Sequence, residues 1–167
     1  MFKVKSRKTG EILQALDSFC DEYGKTWFLF WGKDKWTWRA GDDYVPPNYV
    51  PKKRVIVAGS RTFQNYQLLR AELDAIKDQV SEVFCGEAKG ADTLGRNWAY
   101  ENGIKIRSFP ADWQTYGKIA GMRRNAEMAQ YADMLVAFWD GKSTGTQDMI
   151  AKMEQLGKEV KVIYYDK

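Results

Sequence analysis

Residues 54–63 read RVIVAGSRTF and residues 84–99 read FCGEAKGADTLGRNWA. In each, a short apolar run breaks into a polar, glycine-bearing loop and then into a helical pattern. The same rhythm recurs along residues 54–167, with strands expected at 54–58 (RVIVA), 82–85 (EVFC), 104–109 (IKIRSF), 134–139 (MLVAFW) and 160–165 (VKVIYY). Between them, Leu68, Leu69, Leu73, Ile76 and Val80 form one helical stripe, and Met149, Ile150, Met153 and Leu156 another. Short apolar strands alternating with amphipathic helices predict an α/β fold: a Rossmann-like parallel sheet of about five strands with helices on both faces.

Upstream the composition changes. Pro46, Pro47 and Pro51 make residues 46–53 a linker. Residues 1–45 form a small aromatic-rich segment, and eleven of the chain's 24 aromatic residues precede Val50. TWFLFW (26–31) and KWTWR (35–39), joined by Gly32, Lys33 and Asp34, read as a β-hairpin, with a further strand near Phe2 and a short helix in ILQALDSFC (12–20). The exposed aromatics suit packing on their own domain or on a neighbouring subunit, which leaves a homo-oligomer open. They also suit an aromatic platform for bases or a partner protein.

The 167 residues carry 26 Lys/Arg, 22 Asp/Glu and no histidine. Without imidazole, no Ser-His-Asp or Cys-His machinery and no His-ligated metal can operate within one chain. Two cysteines build no disulfide framework, and no segment reads as a membrane span or a signal peptide, so a cytoplasmic protein is expected. The positive excess lies in residues 1–54, with 11 Lys/Arg against 7 Asp/Glu, while residues 55–167 hold 15 of each. That balance alone does not make a nucleic-acid binder.

In an open parallel sheet, ligands bind beyond the carboxyl ends of the strands. The first such loop is Gly59-Ser60-Arg61-Thr62; alone it reads better as a tight turn capped by Ser60 or Thr62. The second, residues 85–92, places Gly86, Lys89 and Gly90 before a helix carrying Asp92, without the spacing of a dinucleotide or Walker loop. The third begins at Asp140 and brings Ser143, Thr144, Gly145 and Thr146 to a helix start, with Asp148 in the first turn. Asp112, Trp113, Tyr116, Lys118, Arg123, Arg124 and Asn125 fall between the third and fourth strands, where an aromatic ring can stack on a base. Three polar strand-to-helix loops on one sheet point to an anionic, nucleotide-like small molecule. No cofactor is required; Mg²⁺ held by Asp140 or Asp148 and water would be compatible with a phosphate ligand.

VIVAGSRTF, FCGEAKGADTLGRNWA, FPADW, YGKIAGMRRNAEMAQYAD and VAFWDGKSTGTQDMI together resemble the YspA-like branch of the SLOG superfamily, across residues 54–164. That superfamily also holds the LOG-type phosphoribohydrolases and DNA-processing protein A. The resemblance implies a nucleotide site with Gly59, Ser60 and Arg61, with Gly86, Lys89, Gly90 and Asp92, with Arg124 and Asn125, and with Ser143, Gly145 and Thr146. LOG-type hydrolases carry Pro-Gly-Gly-x-Gly-Thr-x-x-Glu with a catalytic glutamate, whereas this chain has DGKSTGTQDM, Asp148 being the nearest acid. The resemblance therefore implies a sensor or sequestering protein for a nucleotide signal, ADP-ribose-like or cyclic, of the kind a phage or mobile element would direct at defence signalling. An N-glycosidic hydrolase using Asp148 and Arg124 as catalytic residues is the alternative. Single-stranded nucleic-acid binding through Trp27, Trp31, Trp36, Trp38 and residues 52–54 is the third reading.

Overall fold

The computed structural model describes residues 1–165; Asp166 and Lys167, which the sequence reading counts in the second domain, lie outside the described residues. Contacts divide the chain into two compact units, Met1–Val50 and the chain from Pro51 onward.

The first unit holds β1 (Phe2–Ser6), β2 (Ile12–Ala15), β3 (Asp17–Cys20), β4 (Thr26–Gly32), β5 (Lys35–Ala40) and β6 (Tyr44–Val45). They form two antiparallel sheets, ordered β2-β1-β6 and β3-β4-β5. The expected hairpin is β4–β5, with Gly32 opposite Lys35 and a turn at Lys33 and Asp34, whose φ angles of 49° and 61° suit the twist of paired strands. The helix expected at 12–20 is absent: that stretch is β2 and β3, separated at Leu16. Ile12, Leu13, Leu16 and Phe19 imitate helical spacing, but burial along β2 alternates, with Leu13 and Ala15 packed into a core of Val4, Ala15 and Phe30. Two sheets offer ladder partners to backbone groups that a nine-residue helix would leave largely unsatisfied at its ends.

The second unit runs β7 (Lys53–Gly59), α1 (Tyr66–Asp74), β8 (Val80–Cys85), α2 (Ala91–Glu101), β9 (Lys105–Ser108), α3 (Trp113–Tyr116), α4 (Ala120–Tyr131), β10 (Met134–Trp139), α5 (Thr144–Gln155) and β11 (Glu159–Tyr164). All five strands are parallel, in the order β11-β10-β7-β8-β9. Period-two alternation assigns the faces. Val55 and Val57 of β7, with Val136 and Phe138 of β10, pack on Leu69, Leu73 and Trp98 from α1 and α2. Ile56 and Ala58, with Leu135 and Ala137, pack on Met128, Ala129, Met149 and Met153 from α4 and α5. Both faces are therefore covered, which is why the central strands read as continuous apolar runs.

Two details differ from the stripes read in the sequence. Val80 opens β8 rather than closing α1, because the helix ends at Asp74 and a 3₁₀ turn at Lys77–Gln79 carries the chain to the sheet. Leu156 follows α5 and is exposed. Gly103 and Gly157, just past α2 and α5, adopt φ of 63° and 65°, as left-handed residues at helix ends do.

Strand order reverses between β7 and β10, each of which starts from a firm anchor. Asp133 accepts from the Arg54 amide at 2.8 Å and from its guanidinium at 2.8 and 2.9 Å. Lys158, ahead of β11, donates to the carbonyls of Ala129, Gln130 and Ala132 at 2.6, 2.7 and 2.6 Å, closing the C-terminal end of α4. Replacing Lys158 by Met strips these carbonyls of their donor. Urea unfolding of Lys158→Met is expected to show a loss of about 1–3 kcal/mol; an unchanged midpoint would show that water serves these carbonyls equally well.

Candidate functional site

The carboxyl ends of β7 and β10 open into a cleft of about 710 Å³ at the point where strand order reverses. Its walls are the loop after β7, the start of α2, the α3–α4 segment and the loop leading into α5. At its back lies Asp92, buried in the first turn of α2. The carboxyl group accepts from the backbone amides of Ala88, Gly86 and Gly59 and lies near the Arg124 charge. Burial is the largest influence on it and pushes it up to about 6, against the opposing pull of Arg124 and those amides.

The glycines are explained by this centre. A Cβ on Gly86 would run into the Arg124 guanidinium and stand 2.7 Å from Asp92 Oδ2. A Cβ on Gly90, whose φ is 82°, would strike the carbonyl of Ser60 and lie 2.8 Å from the carbonyl carbon of Arg61. One on Gly59 would collide with the Phe138 carbonyl. These positions are bare so that three loops can converge on one carboxyl group.

From Arg124 a chain of polar contacts crosses the cleft wall. Arg124 Nη1 donates to the Gly86 carbonyl, and its Nε donates to Asn125 Oδ1 at 3.0 Å. Asn125 Nδ2 donates to the Gly145 carbonyl at 3.2 Å and to Asp148 Oδ2 at 3.0 Å. The other Asp148 oxygen accepts from Lys152. Arg123 turns instead to Tyr116, its guanidinium 4.1 Å from the ring centre.

Ser60 ties two loops together: its amide donates to the Phe138 carbonyl at 3.0 Å and its hydroxyl accepts from the Asp140 amide at 3.3 Å. Asp140 Oδ1 in turn accepts from the amides of Lys142 and Ser143 at 3.0 and 2.9 Å. The Ser143 hydroxyl accepts from Thr146 Oγ1 at 3.1 Å, and no side chain caps α5. The amides of Thr144, Gly145 and Thr146 precede the first helical hydrogen bond, from Gln147 to Ser143, so a positive helix terminus opens into the cleft.

Arg61, Lys118 and Lys142 also line the cleft. Among the described residues, none of these three side chains has an ion-pair or hydrogen-bond partner. Trp113 and Met122, both about half exposed, supply the apolar part of the lining, and the Trp113 ring lies over Gly121 at the start of α4.

Gly59, Ser60, Arg61, Thr62, Asp92, Trp113, Arg124, Asn125, Asp140, Ser143, Gly145, Thr146 and Asp148, all singled out in the sequence, thus surround one cleft. Gly86 and Gly90 stand behind its wall, Lys89 is exposed away from it, and Asp112 caps α3 by accepting from the Thr115 amide at 2.9 Å, and the Thr115 hydroxyl together with that amide holds its carboxyl below the usual range. Sequence reasoning did not place Lys142, Gly121, Met122, Met128 or Met149 at the site, nor Lys118 among its binding residues. Lys142 was visible inside the DGKSTGT loop; the methionines carry only the signature of core helix positions. The acids considered for Mg²⁺, Asp140 and Asp148, are both engaged by the chain's own donors. Among the described residues no cluster of three or more metal-ligating side chains occurs, and no helix is long and apolar enough to cross a membrane.

Comparison with known proteins agrees with this architecture. The X-ray structure of DNA processing protein A (DprA) from Streptococcus pneumoniae superposes with a TM-score of 0.59 at 17% identity, covering 69% of this chain and 51% of that one. The chain thus spans about half the length of that protein, and the likeness is one of fold. The Gene 61 protein of Mycobacterium phage D29 is 32% identical over 119 residues, which cover 63% of this chain and 91% of the phage protein. The model of the YspA, cpYpsA-related SLOG family matches residues 53–116, from β7 through the Asp92 loop to α3. With its parallel sheet, its converging loops and its phage relative, the chain belongs to the YspA-related SLOG family.

Proposed function

We propose that the cleft binds an anionic nucleotide or nucleotide-derived signal, ADP-ribose-like or cyclic, and that the protein acts as its sensor or sequestering protein. The observation that carries this reading is a set of cations, Arg61, Lys118 and Lys142, that have no partner among the described residues and line a cleft into which the uncapped start of α5 opens. A helix terminus and charged donors together favour phosphate, and Trp113 with Met122 offers a surface for a base. The reading requires no cofactor. A phage relative is consistent with a mobile-element protein that captures a host signal.

Binding is favoured over hydrolysis by the state of Asp148. Its carboxylate is occupied by Asn125 on one oxygen and Lys152 on the other, and is therefore poorly placed to activate water. Hydrolysis has one observation in its favour: Asp92, titrating near 6 beside the cleft, falls in the range of a general acid or base. Calorimetry and chromatography with AMP, ADP-ribose, NAD and cyclic dinucleotides separate the two readings. We expect at least one ligand to bind and to be recovered intact. Arg61→Ala and Lys142→Ala should each weaken it about tenfold or more, the cost of losing a charge-assisted contact. Release of free base, abolished in Asp148→Asn or Asp92→Asn, would identify an enzyme instead.

Affinity should also depend on pH. Asp92 is neutral below about 6 and anionic above it, so its charge opposes an anionic ligand only on the alkaline side. Binding of ADP-ribose, whose pyrophosphate stays ionised throughout, is expected to tighten as pH falls through about 6, with proton uptake. Asp92→Asn should flatten this profile, and a wild-type affinity unchanged across that range would contradict it.

A further inference from the structure

Between β9 and α4 the chain runs along one wall of the cleft as a strap with no interior of its own. From Pro110 to Ile119 no residue is buried, although Phe109 and Ala120 on either side are 7% and 1% exposed. The Phe109 amide still donates to the carbonyl of Cys85, the last residue of β8, at 2.8 Å. Beyond it the hydrogen bonds are local. The Trp113 amide donates to the Ala111 carbonyl at 3.1 Å, the Thr115 amide to the Asp112 carboxylate at 2.9 Å and the Tyr116 amide to the Asp112 carbonyl at 3.0 Å. Among the described residues, no hydrogen bond from this strap reaches the sheet. A segment with so little buried apolar surface belongs to the part of a fold that opens most easily.

Gly117 divides the strap. Its φ of 52° and ψ of −133° are values that a residue with a Cβ avoids, yet a Cβ there would meet nothing within 4 Å. Gly86 is bare because Arg124 takes the space; at Gly117 it is the backbone conformation that demands glycine, as at a hinge. On either side of Gly117 stands one group that lines the cleft, Trp113 before it and Lys118 after it. Trp113 is the one aromatic ring among the described residues of that lining. It is 53% exposed, whereas Trp98 in α2 is fully buried. Its Cη2 lies 3.4 Å from the Cβ position at Gly121, so the ring rests by an edge on the start of α4 and leaves much of its surface uncovered.

From this juxtaposition we infer that the strap Pro110–Ile119 is the specificity element of the cleft: it folds onto a bound nucleotide, with Trp113 stacking on the base and Lys118 meeting a phosphate, so that ligands carrying a base are selected over sugar phosphates without one. The inference rests on the nucleotide reading of the cleft and adds to it the element that reads the base. Arg61, Lys142 and the start of α5 sit on loops that follow β7 and β10, and the bonds of Ser60 to Phe138 and Asp140 tie those two loops together. They can hold phosphate whatever the strap does. The strap orders itself only at an entropic cost, and covering the Trp113 ring with a base is what offsets it.

The test is hydrogen exchange of the full chain, read by mass spectrometry, with ADP-ribose, NAD and cyclic di-AMP as probes and ribose 5-phosphate as their base-free counterpart. In the free chain the amides of residues 113–119 are expected to exchange far faster than those of α4. A base-bearing probe at about ten times its Kd should slow them about tenfold and shield Lys118 from trypsin. Ribose 5-phosphate should protect residues 144–146 and leave the strap as it is in the free chain. Trp113→Ala should lower the preference for the nucleotide over ribose 5-phosphate about tenfold. Gly117→Ala keeps every contacting group and should lower it too, because alanine resists the hinge conformation, so the result does not hang on the folding of one tryptophan variant. A bound nucleotide that protects residues 59–62 and 143–146 but not the strap, strap protection by ribose 5-phosphate equal to that by the nucleotide, or a preference indifferent to Trp113 would overturn this inference and leave the nucleotide reading standing. Binding of none of the probes would overturn both.

Discussion

A buried carboxyl group holds the second unit's functional end together. Asp92 accepts from the amides of Gly59, Gly86 and Ala88 and faces the Arg124 charge. It therefore joins the loops that follow β7 and β8 to helix α4. Removing its charge from water is costly, and only this convergence of donors compensates it. Each neighbouring glycine follows from that requirement, because a Cβ at Gly86 or Gly90 would occupy the space of Arg124 or of the β7 loop. The result is a wall whose polar groups are held by contacts within the chain.

On the opposite side, the loop into α5 is arranged differently. Asp140 Oδ1 accepts from the amides of Lys142 and Ser143 and the Ser143 hydroxyl accepts from Thr146, so neither side chain caps α5 and its first amides are left to the cleft. Lys142 of this loop, Arg61 of the loop after β7 and Lys118 ahead of α4 add charge, and none of the three has a partner among the described residues. The cleft thus combines polar groups satisfied by the chain itself with cations and helix amides that are left open to it. Open amides at a helix start and cations without carboxylate partners are the features that support the proposed anionic ligand.

Much of this was legible in the sequence. Four of the five parallel strands announce themselves as apolar runs followed at once by polar loops, and residues 54–63 alone nearly establish the sheet's central strand and its functional loop. Gly86 and Gly90 stand out in the sequence as a glycine-bearing strand-to-helix loop, but their role in close packing around Asp92 is visible only once Arg124 and the β7 loop are folded against them. Lys89 and Lys142 look alike in sequence, both set between small residues of a strand-to-helix loop, yet only Lys142 reaches the cleft. That difference depends on where α4 and α5 fold back against the sheet. Residues 12–20 misled in the other direction, since helical spacing over nine residues cannot compete with two sheets that supply ladder partners.

The central claim concerns where a nucleotide-like anion sits, and amide chemical-shift mapping of the full chain during titration with ADP-ribose and its relatives tests it most directly. The account predicts changes concentrated at Gly59–Thr62, at Ala88–Asp92 and at Ser143–Thr146, three separated stretches that meet only in the folded cleft. Changes confined to residues 1–50, or none for any member of the series, would contradict it.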